Sequence, residues 1–287
     1  MEMIRKSLLA FCAVAALAPS ARADDARATA RALFAKAQKT VVTVRLVLKM
    51  SMGGHDQEQK LEAVGTVIDP SGLTVVPTAV VDPGSIVRAM MHARPGGAEM
   101  KLDTTVTETT IILSDGTEVE SDVILKDADL DLAFIRPRDQ SKPLEAVTLK
   151  PGRALPQVLD EVILLGRYGR AASRAAWVEV SQVRAVVKGP RTFALCGGDA
   201  GGDALGTVAY GTDGTPVGVF VTHIGKDSGA EGSRGISGMM GGGHQGGSVI
   251  LRSIDDVLEV ADQARKMKNP EPKPPEAAVP AMPEKKP

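Results

Sequence analysis

Between Cys196 and Asp203 the chain reads Cys-Gly-Gly-Asp-Ala-Gly-Gly-Asp, with glycines crowding one small residue, Ala200. Such a run is a loop, because glycine forfeits the most conformational entropy inside a helix or strand. An apolar run from Ala204 to Ala209, a turn at Gly211-Thr-Asp-Gly214 and the segment Pro216-Val-Gly-Val-Phe-Val221 follow it. This predicts two strands joined by a turn directly after the loop. Glycines flanking one residue also let backbone N–H groups converge on a point, as an oxyanion hole requires, with a nucleophile at position 200. Alanine there supplies no nucleophilic atom.

The core that could carry such a loop must be aliphatic, since aromatic residues make up only 3% of the chain and hydrophobic residues 43%. Thirty glycines and 18 prolines demand many turns, which favours short strands over a helix bundle.

Residues 1–23 contain Arg5 and Lys6, an apolar run from Leu8 to Leu17, and Ala21-Arg22-Ala23 before Asp24-Asp25. This is the pattern of a secretory signal peptide with its A-x-A cleavage site. The apolar run is too short to span a bilayer, so no transmembrane anchor is expected. Cys12, behind Phe11, is placed too early for a lipoprotein anchor. The formal net charge of −1 carries no footprint for nucleic acid. Cleavage would leave Cys196 alone, with no internal disulfide and no zinc-type cysteine spacing.

Along the chain, residues 25–38 set Ala30, Leu33, Phe34 and Ala37 at helical spacing. From Val41 to Met50 the period changes to two, with Val42, Val44, Leu46 and Leu48 on one face of a first strand. A polar loop is expected over residues 53–59. Then comes Ala63-Val-Gly-Thr-Val-Ile-Asp-Pro-Ser-Gly-Leu-Thr-Val-Val-Pro-Thr-Ala-Val-Val-Asp82, two strands about an Asp69-Pro-Ser-Gly72 turn. A polar excursion over 83–104 with Pro95-Gly-Gly97 at its tip precedes strands over 105–113 and 119–125. Further on stand Lys126-Asp-Ala-Asp-Leu-Asp-Leu-Ala-Phe-Ile135, Asp160-Glu-Val-Ile-Leu-Leu-Gly166 and a strand over 177–188. A glycine-rich loop covers 225–247, a last strand Gly247 to Leu251, and a closing helix carries Ile254, Val257, Leu258 and Ala261 behind a capping box at Ser253 and Asp256.

Taken in order, these motifs resemble the trypsin-like serine proteases, most closely the HtrA/Deg type, over about residues 30–265. In that family the glycine loop reads G-[ND]-S-G-G, against Gly198-Asp199-Ala200-Gly201-Gly202 here. The segment that carries the general base reads H-V-V-D, against Ala79-Val80-Val81-Asp82. The k-D-x-x-x-D-[LI]-A segment is matched by residues 126–133, which makes Asp131 the counterpart of the triad aspartate. The resemblance therefore implies a degenerate triad of Ala79, Asp131 and Ala200, with backbone groups of Gly198, Asp199 and Ala200 in the oxyanion loop, and no cofactor or metal.

Other candidates are weaker. Cys196 precedes the loop's apex by four residues and no histidine has an evident place beside it, so it reads as a buried small hydrophobe. His55, His92, His223 and His244 all fall outside the segment that delivers the base. His244, alone in its glycine run, lacks partner ligands for a metal. Ser237 lies in Gly-Ile-Ser-Gly, with Met239 where a G-x-S-x-G elbow needs glycine.

The resulting expectation is an all-β fold of two tandem antiparallel six-stranded barrels with short N- and C-terminal helices. Its divisions are a signal peptide (1–23), an N-terminal helix (24–40), a first barrel (41–140), a linker (141–156), a second barrel (157–252), a C-terminal helix (253–268) and a disordered Pro/Lys/Glu tail (269–287). The expected function is that of an exported pseudoprotease, periplasmic or extracellular, holding a peptide or protein segment in the cleft between barrels. An active endopeptidase with a non-standard base and nucleophile, and a structural envelope interaction protein, are the competing readings. No oligomeric state follows from the sequence.

Overall fold

Residues 21–52, 55–85, 102–197, 202–223 and 248–270 are described by a computed structural model. The strands close into two antiparallel six-stranded barrels, as expected. The first contains β1 (Val41–Met52), β2 (His55–Val67), β3 (Thr74–Pro77), β4 (Leu102–Ile112), β5 (Glu118–Asp127) and β6 (Leu132–Pro137), ordered β1-β2-β3-β6-β5-β4. The second contains β7 (Glu161–Arg167), β8 (Ala176–Val187), β9 (Phe193–Cys196), β10 (Val208–Gly211), β11 (Pro216–His223) and β12 (Ser248–Ser253), ordered β10-β11-β12-β9-β8-β7. Read in the opposite direction around the barrel, the second order repeats the first.

Period two sorts the side chains into three apolar layers. In β1, Val42, Val44, Leu46 and Leu48 fill the interior of the first barrel with Ala133 and Ile135 of β6. In β7, Val162 and Leu164 fill the second with Phe220 and Leu251. The alternate residues, Leu132 and Phe134 on β6, Ile163 and Leu165 on β7, and Val219 and Val221 on β11, form a layer between the barrels. These strands are apolar on both faces because both faces are covered.

Two helices and two buried arginines tie the barrels together. Helix α1 (Ala21–Ala37) packs on β7 and β8 of the second barrel before the chain enters β1. Arg167, buried at the end of β7, donates from Nε to the Val41 carbonyl (2.6 Å) and from Nη2 to that of Gln38 (3.0 Å). At the other end, Ser253 caps α3 (Ile254–Lys266), its hydroxyl accepting from the Asp256 amide at 3.2 Å and donating to that carboxylate at 2.9 Å. Val257, Val260, Ala261 and Ala264 bury its apolar stripe in the inter-barrel layer, and Ile254 is buried at its start. Arg136 of β6 reaches the C-terminal end of this helix, donating to the Met267 carbonyl at 2.5 Å and to Asn269 Oδ1 at 2.8 Å. A cation at a helix C-terminus satisfies orphan carbonyls and meets the negative end of the dipole.

Two expectations are corrected. Most of the polar stretch 53–59 is strand, since β1 and β2 stay paired out to Met52↔His55 and Lys49 Nζ meets Asp56 Oδ2 at 3.0 Å. A ribbon held by its ladder needs no apolar face there. Asn269, assigned to the tail, is built into the fold by Arg136 and by its own amide, which donates to Asp122 Oδ2 (3.2 Å) and the Pro137 carbonyl (3.1 Å). The leader through residue 20, the excursion 86–101 with His92, the loop residues Gly198, Asp199, Ala200 and Gly201, the 224–247 loop with Ser237 and His244, and the tail from 271 lie outside the described residues.

Candidate functional site

The ladder between β3 and β6 runs antiparallel to Pro77↔Leu132, so the residues after β3 and before β6 are neighbours. After Pro77 the chain makes the single turn α2 (Thr78–Val81), whose first amides have no intrahelical acceptor. Asp131 satisfies them. Its backbone is left-handed, with φ of 54°, a conformation in which aspartate is several-fold enriched. Its carbonyl accepts from the Thr78 amide at 3.1 Å and its Oδ1 from the Ala79 amide at 3.0 Å. The other oxygen, Oδ2, accepts from the Thr222 amide of β11 at 2.7 Å. One carboxylate thus joins a turn of the first barrel to a strand of the second.

Burial pushes the Asp131 carboxyl up to about 6, against the opposing pull of the Thr222, Ala79 and Thr78 amides and of the Thr222 hydroxyl. Desolvation outweighs these hydrogen-bond donors because amides and hydroxyls carry only partial charge. Asp131 makes no ion pair among the described residues, and the residue whose amide it holds, Ala79, ends in a methyl group.

The end of the glycine loop returns to the same corner. Gly206 has φ of +80°, and a Cβ there would meet the Val64 carbonyl oxygen at 2.2 Å and Pro77 Cδ at 3.2 Å. Its carbonyl accepts from Thr66 Oγ1 at 2.9 Å, across the inter-barrel boundary, and its amide donates to Phe220 of β11 at 2.9 Å. The chain leaving the loop therefore touches Pro77, two residues from Ala79. So Ala79 and Asp131 are together and the loop's downstream flank abuts them, while Ala200 itself is outside the described residues.

Cys196, at the end of β9 opposite Val183, packs against the interior of the second barrel. Burial pushes its thiol up to about 11, the reverse of what a thiolate nucleophile needs. His223 ends β11 one residue beyond Thr222, and its ring packs on Phe193 with centroids 4.9 Å apart. Burial, with Arg252 nearby, lowers its pKa. Among the described residues no group of three His, Cys, Asp or Glu side chains could hold a metal, and no helix is long and apolar enough to cross a membrane.

Two participants were not legible beforehand. Thr222 acts chiefly through a backbone amide, which leaves no mark in the sequence. Arg252 is buried on β12 over the Phe193 ring, with nothing in its sequence context to signal it.

No family model matches the chain, and no curated protein matches it. Among solved structures it is similar to one titled "HtrA-type protease AlgWS227A with tripeptide", with a TM-score of 0.53 and 14% identity over 81% of this chain. The match spans 62% of that protein's chain. At this identity the likeness shows the fold, which is the tandem-barrel fold of trypsin-like proteases.

Proposed function

We propose that this chain is an exported trypsin-like pseudoprotease that has kept the fold and lost the chemistry. The observation that carries this reading is the Asp131 corner, where both carboxylate oxygens are taken by the Ala79 and Thr222 amides and position 79 offers only a methyl group. A serine protease needs an imidazole there to take the proton from the nucleophile, and alanine can neither accept nor return it. Alanine at 200 removes the nucleophile as well. Export rests on the leader pattern of residues 1–23.

Binding is the function that remains. β10 pairs with β11 only up to Val208↔Val219, so Val221 to His223 run beside Asp131 with no strand partner on that side among the described residues. The Thr222 amide on that side is taken by Asp131, so an extended peptide laid against this segment would donate its own amide to the Thr222 carbonyl, the strand-addition mode of recognition. Purified protein spanning residues 24–287 would be assayed with casein and a fluorophosphonate probe, and by NMR for peptide binding. Neither cleavage nor labelling is expected, with peptide-induced shifts at Val221, Thr222 and His223. Labelling of any serine would establish an active peptidase instead. An inert protein whose β11 signals no peptide moves would leave the structural role.

A further inference from the structure

Three arginines lie buried in the described structure, and they are not alike. Arg136 and Arg167 each have three nitrogens hydrogen-bonded, to backbone carbonyls and, for Arg136, also to Asn269. Arg252 is 3% exposed, and its Nε is buried with no acceptor. Its guanidinium lies 5.9 Å from the centre of the Phe193 ring. The Phe193 ring also packs on His223.

The carboxylates whose charge reaches Arg252 are Asp256, Asp131 and Asp127, and each is already committed. Asp256 accepts from Arg191 at 2.7 Å and from the Ser253 hydroxyl at 2.9 Å. Asp131 accepts from two amides, and Asp127 Oδ1 accepts from the Leu130 amide at 3.0 Å. A buried guanidinium nitrogen without an acceptor is destabilising, and an apolar side chain of the same length would fill the space without that cost. Its pairing partners Val219 on β11 and Phe193 on β9 set its register. With β-strand alternation, Arg252, Ile250 and Ser248 of β12 share a face with Val219, Val221 and His223 of β11. That is the face turned to the first barrel, alongside the segment proposed to hold a peptide.

We infer that Arg252, floored by Phe193 and flanked by His223, is a carboxylate-recognition site, and that the occupant of the cleft is a peptide segment carrying a carboxylate beside β11. Guanidinium and carboxylate match in charge and in their paired donors and acceptors. His223, its pKa lowered, is neutral at pH 7 and offers a further N–H. The carboxylate has two possible sources, a glutamate side chain or a peptide C-terminus. This inference rests on the peptide-binding reading, and the test separates the two.

Three fluorescein-labelled peptides would be titrated by polarisation: Ala-Val-Val-Glu-Val-amide, its Gln-for-Glu counterpart, and the Gln peptide with a free C-terminal carboxylate. Binding would be compared in wild type and in Arg252→Met, which keeps the stem's packing and removes the charge. Glutarate would be titrated separately, following the Arg252 Nε–H and His223 ring signals by NMR. At least one carboxylate-bearing peptide is expected to bind tenfold or more tightly than the neutral peptide. That ratio should fall to near one in Arg252→Met. The Glu peptide and the free C-terminus are told apart by which of them carries the gain. Equal binding of all three peptides, or a preference that survives in Arg252→Met, would overturn the carboxylate site and leave the peptide cleft standing. If no peptide binds but glutarate shifts the Arg252 signal in wild type, the anion site stands and the strand-addition reading falls. Silence of both titrations overturns both.

Discussion

The buried carboxyl of Asp131 makes the stability of this protein depend on pH in a direction opposite to that of most acidic groups. Its folded-state pKa of about 6 lies above the ordinary 3.8, so the folded state holds a proton that the unfolded chain has released. A group of this kind contributes its full stabilisation below pH 3.8 and loses it as pH rises through 6. A shift of this size corresponds to about 3 kcal/mol in full, of which about 2.4 kcal/mol develops between pH 8 and pH 4. Other carboxyls work the other way: pairing with Arg174 lowers the pKa of Glu62, so that contribution is lost as pH falls. The Asp131 part must be isolated by difference, and Asp131→Asn does this because an amide does not titrate. Asparagine can accept from only one of the Ala79 and Thr222 amides and turns its NH2 on the other, a cost that is the same at every pH. Urea denaturation of wild type and Asp131→Asn from pH 4 to pH 8 gives the stability difference between them. That difference should grow in favour of wild type by about 2 kcal/mol on acidification, setting in near pH 6 and reaching half its size near about pH 5. A flat difference, or one growing toward alkaline pH, would refute the claim that desolvation outweighs the amides at this carboxyl.

Gly206→Ala should destabilise by at least about 3 kcal/mol in urea denaturation, since its Cβ would meet backbone, not a yielding side chain, at a left-handed φ; a loss under 1 kcal/mol would mean the inter-barrel contact gives way readily. Cys196 in the folded protein should react with iodoacetamide at pH 8 more than tenfold slower than in urea, because burial holds the thiol protonated, and equal rates followed by mass spectrometry would contradict that. Ala79→His with Ala200→Ser would restore the three side chains of a triad around Asp131, whose hold on the residue 79 amide already fixes the backbone beneath the imidazole. Fluorophosphonate labelling is expected of the double variant and not of either single variant, given the non-additivity of triad members; a folded but unreactive double variant would mean that the glycine loop no longer forms an oxyanion hole.

What could be read from the chain alone was whatever local chemistry dictates. Period two with glycine and proline turns specified short strands, as Val42, Val44, Leu46 and Leu48 did for β1. The order of Ala79, Asp131 and Ala200 within their motifs carried the resemblance to a triad, with alanine at two of its three positions. Ser253 and Asp256 announced the start of α3. The tertiary structure decided what depends on surroundings remote in sequence. Asp131 and Thr222 are 91 residues apart, and only the packing of one barrel on the other brings that amide to that carboxylate and excludes the water that would keep its pKa low. The length of the β1–β2 ribbon was hidden because ladder bonds, unlike side-chain burial, leave no hydrophobic period. Arg136, Arg167 and Arg252 are indistinguishable in sequence from solvent-exposed arginines. Burial comes from neighbours, and so does the difference, among the described residues, between a guanidinium whose Nε has an acceptor and one whose Nε lacks it.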